Sequence, residues 1–324
     1  MRKFFSENPG GGRMQSMLAI SIVVPVYNSE GCVFELTKQI AEALKDIPYE
    51  QIMVNDCSKD HSWQRICEVI EKGFPVVGIN LRKNSGQDNA LFAGLEQAQG
   101  KYVVIMDDDL QHSPSDIPRL YQEIQKGYDV VYADFTHKRQ RFWKNLGSWF
   151  NGKIAELVIA KPKGLYLSPF KIIRHEVVTQ IVSSATLYPY IDGLLFQVTR
   201  NIIQIPVNHH KREIGRSNYT LYKSIQVFAK LLFGFSVMPL RISSMLGGIS
   251  ACAGFLLAIY YVVEWILGRN KVEGWTTLVV LLLILGGLIL LALGIIGEYV
   301  GRLYLTVNKN PRFTVAEIRH KGAR

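Results

Sequence analysis

The chain has 324 residues, 48% of them hydrophobic, and a formal net charge of +10. That length holds one sizeable α/β domain and a further element. Its four cysteines (Cys32, Cys57, Cys67 and Cys252) form no CxxC pair and have no histidine at ligand spacing, so neither a zinc site nor a disulfide framework is indicated. A basic balance suits nucleic acid or anionic lipid; no nucleic-acid-binding motif is present, which leaves the lipid surface.

Residues 1–18, with Gly10, Gly11 and Gly12, read as a flexible lead-in within which Met17 can serve as a start. Residues 19–26 form a strand ending in Tyr27-Asn28, and a helix follows to about Lys45. Residues 51–54 make a second strand, ending at Asn55-Asp56-Cys57-Ser58-Lys59-Asp60. After another helix, residues 76–79 form a third strand, and Asn84-Ser85-Gly86-Gln87-Asp88-Asn89 opens a helix to Gln99. Val103-Val104-Ile105-Met106 is the fourth strand, a helix starts at Pro114, and residues 129–132 are the fifth strand. Strands alternating with helices of this length imply an α/β fold with a doubly wound, largely parallel sheet.

Polar residues gather at the carboxyl end of each strand: Tyr27-Asn28, Asp56, residues 85–88, and residues 107–111. In such a sheet those ends line one crevice. There is no GxGxxG after the first strand and no Walker A motif, so the site is not of the usual dinucleotide or P-loop kind. Asp107-Asp108-Asp109 follow the fourth strand directly. Three adjacent carboxylates repel one another unless a cation is present. Asp107 and Asp109 alternate on an extended chain, with Gln111 next in that register, and their oxygens suit Mg2+ or Mn2+ bridging to substrate phosphates. The plainer alternative is an acidic turn capping the helix that begins at Ser113-Pro114.

Residues 137–158 include Phe142, Leu146, Trp149 and Phe150 on one helical face, flanked by Lys138, Arg139, Arg141, Lys144 and Lys153. Aromatic and basic residues in that pattern point to an interfacial helix. A second amphipathic helix covers residues 219–237. Before it, His209-His210-Lys211-Arg212-Glu213-Ile214-Gly215-Arg216-Ser217-Asn218-Tyr219 groups cations with a hydroxyl, suited to gripping a phosphate or to meeting anionic headgroups. Residues 242–264 and 275–297 are apolar runs, each long enough to cross a bilayer, joined by a short polar connection. Two spans place both termini on one side. Arg241 before the first span and the basic tail at residues 302–324 (Arg302, Lys309, Arg312, Arg319, Lys321 and Arg324) make that side cytoplasmic.

These motifs together resemble the inverting family 2 glycosyltransferases. The resemblance rests on Pro25-Val26-Tyr27-Asn28, Asn55-Asp56-Cys57-Ser58-Lys59-Asp60, Asp107-Asp108-Asp109-Leu110-Gln111-His112-Ser113-Pro114 and Arg212-x-x-Gly215-x-Ser217-x-Tyr219. Met238-Pro239-Leu240-Arg241 and Gly297-Glu298-Tyr299-Val300-Gly301-Arg302 extend it over nearly the whole chain after residue 18. More narrowly, the chain is similar to polyprenyl-phosphate glycosyltransferases related to dolichol-phosphate mannose synthase, and to bacterial undecaprenyl-phosphate sugar transferases. The resemblance implies a GT-A type domain over residues 19–218. It also implies a nucleotide-diphosphate-sugar donor (UDP-sugar favoured, GDP-sugar possible), an undecaprenyl or polyprenyl phosphate acceptor, and a place in the bacterial inner membrane. Pro25, Tyr27, Asn28, Asp56, Gln87, Asp88 and Asp108 then match the donor site, and Asp107, Asp109 and Gln111 the metal ligands. Lys211, Arg212, Arg216, Ser217 and Tyr219 match the acceptor-phosphate region; Asp107, Asp109 and Arg212 carry the catalytic roles. Two departures stand out. Relatives often carry an acidic residue, proposed as a base, before Phe170-Lys171-Ile172-Ile173, whereas residues 162–169 here contain none; and Cys57 stands where relatives usually have Gly.

The remaining readings are a processive polysaccharide synthase, which would normally show a QxxRW motif and more spans, and a non-enzymatic membrane sensor of nucleotide-sugars. Gly247, Gly248, Ser250, Ala251, Gly254, Gly286 and Gly287 permit close helix packing and hence a homo-oligomer.

Overall fold

The computed structural model of the chain describes residues 18–135, 161–162, 164–184, 190–207, 237–267, 274–308 and 311–322. The expected lead-in before Leu18, the interfacial helix at residues 137–158, the basic run at residues 209–219 and the helix at residues 219–237 lie outside these residues, apart from Val237.

Among the described residues, eight strands form one sheet: β1 (Ile20–Val26), β2 (Tyr49–Asn55), β3 (Val76–Leu81), β4 (Tyr102–Ile105), β5 (Val130–Asp134), β6 (Lys171–Arg174), β7 (Ile202–Pro206) and β8 (Val315–Arg319). Their order is β7-β5-β6-β4-β1-β2-β3-β8. β1 pairs in parallel with β2 and β4, β2 with β3, and β5 with β7. β6 runs antiparallel between β4 and β5, and β8 antiparallel along β3. The fold is thus an α/β, GT-A-like one with a mostly parallel central sheet.

Helices cover both faces. α1 (Val33–Ala43), α2 (Ser62–Glu71) and α4 (Ile117–Ile124) pack on the face that carries Ile22, Val24, Val104, Val131 and Ile172. The opposite face, with Val23, Val54, Val103, Ile105, Tyr132 and Ile173, is covered by α3 (Gln87–Leu95), α5 (His175–Val182) and α6 (Ile191–Val198). Strands buried on both sides cannot alternate apolar with polar residues, which is why β1 and β4 read as continuous apolar runs.

Five strands were expected, and β6, β7 and β8 add to them. β6 and β7 are four- and five-residue segments, and β6 begins and ends on a cation, so neither carries a strand pattern of its own. β8 corrects the expectation of a simple basic tail. After the second apolar helix the chain returns to the sheet: Gly78 pairs with Arg319, Ile79 with Ile318, Asn80 with Glu317 and Leu81 with Val315. Phe313 and Val315 pack on the α3-side core, and the Arg312 guanidinium lies 4.8 Å from the Phe92 ring centroid. Basic residues hid this strand because an edge strand tolerates charge on its open side.

α7 (Met238–Ile266) and α8 (Trp275–Val307) are long and apolar enough to cross a membrane. None of the residues in either apolar window is buried, unlike a core helix of a water-soluble domain. α8 has 33 residues, about 50 Å at the usual rise, against a hydrocarbon core of about 30 Å. It therefore outruns its expected apolar stretch, and its extra turns carry the Glu298–Arg302 pair at 2.8 Å before the chain turns back to β8.

A candidate active site at the carboxyl edge of the sheet

Among the described residues, three other than glycine have left-handed backbones: Asn28 (φ 53°), Cys57 (φ 55°) and Leu110 (φ 59°). Each lies just beyond a strand of the central parallel set, where the chain must reverse sharply at the crevice. Asn tolerates this conformation; for Leu it costs about 1–2 kcal/mol, here set against the packing of Leu110 on the core. The φ of Cys57 fits the glycine that the family resemblance leads one to expect there: the turn asks for a left-handed residue.

Hydrogen bonds tie these turns together. The Asn28 N–H donates to Ser58 Oγ at 3.0 Å, and Asn28 Oδ1 accepts from the Lys59 N–H at 2.8 Å. Asn28 thus clasps the turns after β1 and β2. Asp56 Oδ1 accepts from the Ser85 N–H at 2.6 Å and Oδ2 from the Gly86 N–H at 2.9 Å, shaping the loop after β3. Gly86, at φ 87°, leads directly into α3. Burial raises the Asp56 carboxyl pKa, and those two N–H groups oppose the shift.

The result is a cavity of about 320 Å³ lined by Pro25, Val26, Tyr27, Asp56, Asn84, Gly86, Gln87, Asp107, Asp108 and Asp109. All four strand-end clusters meet there. Among the expected donor residues, Asn28 and Asp88 are not in the lining, and neither is the expected metal ligand Gln111. Gln111 donates its backbone N–H to Asp109 Oδ1 at 3.2 Å, in the turn that presents Asp109. The expected acceptor residues Lys211, Arg212, Arg216, Ser217 and Tyr219 lie outside the described residues.

The acids are not alike. Asp108 Oδ2 accepts from the Tyr27 N–H at 3.3 Å, which fixes it toward β1. Burial raises its pKa, and hydrogen bonds from Ser29 and Tyr27 work against that shift. Asp107 accepts from Gln87 Nε2 at 2.8 Å. Desolvation, then the charges of Asp109 and Asp108, push the Asp107 pKa up to about 7; Lys171 and Gln87 counter them. Such a cluster fits a divalent cation, whose charge would relieve the repulsion. Among the described residues no three carboxylate, imidazole or thiol groups already form a complete metal cage.

Two side chains at this edge went unnoticed in the sequence. Lys171 pairs with Asp192, and Tyr132 donates its hydroxyl to Asp192 Oδ1 at 2.7 Å. The signal was there: Lys171 is a lone charge in Phe170-Lys171-Ile172-Ile173, and Asp192 a lone charge in Ile191-Asp192-Gly193-Leu194-Leu195. A single charge in a buried apolar run needs a partner.

Comparison with known proteins agrees with this geometry. Residues 21–182 match the family model described as "Glycosyl transferase family 2", and residues 238–303 match "GtrB C-terminal hairpin". The undecaprenyl-phosphate 4-deoxy-4-formamido-L-arabinose transferase of Proteus mirabilis (strain HI4320) is 34% identical over 305 residues, 92% of this chain and 93% of its own length. Its counterpart in Serratia proteamaculans (strain 568) is 30% identical over 311 residues, 94% of this chain and 95% of its own. Among solved structures, glucosyl-3-phosphoglycerate synthase from Mycobacterium tuberculosis aligns at 21% identity with a TM-score of 0.47, covering 66% of this chain and 79% of its own. The chain belongs to glycosyl transferase family 2, and with its GtrB C-terminal hairpin it is a glycosyltransferase of the same family as the undecaprenyl-phosphate sugar transferases.

Proposed function

We propose that the protein transfers a sugar from a nucleotide-diphosphate-sugar to a polyprenyl phosphate, with inversion, at the cytoplasmic face of the bacterial inner membrane. The observation that carries this reading is the acid-lined cavity at the sheet edge, on a chain whose apolar hairpin leaves and rejoins the same protein. The curated relatives are named for an undecaprenyl-phosphate acceptor and match nearly end to end, which supports undecaprenyl phosphate here. A UDP-sugar is the favoured donor, with a GDP-sugar as the alternative. The return of the chain to β8 beyond α8 supports a hairpin with both ends on one side of the membrane; Arg241 and the basic residues after α8 favour the cytoplasmic side.

In this mechanism Pro25, Tyr27, Asp56 and Gln87 hold the nucleotide, and Asp108 orients the donor. Asp107 and Asp109, with Gln111 as a further oxygen, would hold Mg2+ or Mn2+, which supplies charge neutralisation for a departing nucleoside diphosphate. An acceptor phosphate oxygen attacks the anomeric carbon while the bond from that carbon to the diphosphate breaks. A phosphomonoester has a second pKa of about 6, so the nucleophile arrives ionised. No protein base is required, in keeping with the absence of an acid in residues 162–169. Lys211, Arg212, Arg216, Ser217 and Tyr219 would grip the acceptor phosphate and offset its repulsion from the donor.

Three outcomes follow. Asp109→Ala should lower transfer of labelled sugar into organic-extractable lipid by about 10²–10³-fold with membrane insertion intact; retained transfer refutes the metal assignment. Arg212→Ala should raise the KM for lipid phosphate by about 10–100-fold, the worth of one charge-assisted hydrogen bond, and an unchanged acceptor KM removes it from that role. The third outcome is a pH dependence. With its pKa raised to about 7, Asp107 keeps a proton in the folded protein where the unfolded chain has lost it, from about pH 4 upward. Stability without a cation therefore falls as pH rises through that window, and binding of a cation that needs ionised Asp107 strengthens. Thermal melts of the full chain in detergent should show Mn2+ raising Tm more at about pH 8 than at about pH 5, and an equal rise at both contradicts it.

A further inference from the structure

Lys171 is 3% exposed, and the steps proposed above leave it without a role. It begins β6, whose register sets it beside Ile105 of β4 and Tyr132 of β5. Val103, Ile105 and Tyr132 face the α3 side of the sheet, and Asp107, two residues past Ile105, continues that face. Lys171 therefore stands one strand away from the acidic cluster, at the same edge and on the same face.

Its ammonium is clamped. Asp192 Oδ1, in the first turn of α6, accepts from both the Lys171 ammonium and the Tyr132 hydroxyl. The ammonium also lies 4.9 Å from the centroid of the Tyr132 ring. Held by an acid and an aromatic face, it is a fixed charge rather than a mobile one.

We propose that Lys171 is a positioning residue of the donor site, a fixed counter-charge beside the acidic cluster that limits how tightly the cluster takes a bare divalent cation. The inference rests on the donor-site reading above. Three carboxylates alone would bind a cation strongly with or without nucleotide. A positive charge at their back weakens that binding, so that occupancy depends on the negative charge of a diphosphate. Cation and nucleoside diphosphate then arrive and depart as a pair.

The test is a Mn2+ titration of the full chain in detergent, followed by electron paramagnetic resonance without nucleotide, alongside transfer kinetics. Lys171→Met should bind Mn2+ about tenfold more tightly, with kcat reduced severalfold and acceptor KM unchanged, and Lys171→Arg should return both to the starting values. A merely structural lysine would move Mn2+ binding the other way, because a loosened site binds less well. Should Lys171→Met fail to fold with Asp192 left unpaired, Lys171→Gln keeps a hydrogen-bond donor for Asp192 and removes the positive charge alone, and tighter Mn2+ binding is expected there as well. Unchanged or weaker Mn2+ binding in the folded variants overturns the inference. Asp107→Asn separates the two levels: it should weaken Mn2+ binding, and if it does not, the donor-site reading itself fails.

Discussion

Repulsion among Asp107, Asp108 and Asp109 is the constraint to which the rest of the site answers. Three carboxylates leave β4 in sequence and are half-buried, and burial leads the forces that raise Asp107 and Asp108. The surroundings separate them. The Tyr27 N–H takes Asp108, the Gln87 amide and the Lys171 charge act on Asp107, and the Gln111 N–H turns back on Asp109. The left-handed Leu110 gives the chain the reversal that this arrangement needs. Strain and unfavourable charge persist together where a ligand repays them.

A second constraint acts on the chain as a whole. β8 lies beside β3 only if the polypeptide returns after two long apolar helices. The return also reaches the candidate site. β3 pairs with β8 through Asn80, whose Oδ1 accepts from Asn55 Nδ2 at 2.8 Å, and Asn55 Oδ1 accepts from the Ser58 N–H at 3.3 Å. The Arg82 N–H donates to the Thr314 carbonyl at 2.8 Å, just ahead of the loop at residues 84–86. The strand that follows the hairpin thus buttresses the turns after β2 and β3, and the proposed lipid anchor and donor pocket share one sheet.

The central half of the fold was legible because its strands are buried on both faces and end in polar turns. β1, β2, β3 and β4 follow that pattern, and their ends converge on Tyr27, Asp56, Gln87 and Asp107 as alternation of strand and helix requires. What the residues did not announce depends on contacts remote in sequence. β6 is a short strand whose antiparallel place between β4 and β5 is set by partners about 40 to 70 residues away. Asn28 reads as a ligand contact in the sequence, and its bridge between two loops is a role that exists only once β1 and β2 are side by side. The Lys171–Asp192–Tyr132 cluster draws on three elements, so each member read alone is only an odd charge or a core tyrosine.

The central claim is a single displacement, by a lipid phosphate, on a donor held against the acidic cluster. Its most direct test is the anomeric configuration of the product formed by the purified full chain from α-linked UDP-sugars, undecaprenyl phosphate and Mn2+, read by proton and phosphorus nuclear magnetic resonance. The account predicts a lipid-linked phosphodiester whose sugar is inverted to the β-anomer. A product with retained configuration, or sugar released to water with the lipid phosphate unmodified, would contradict it.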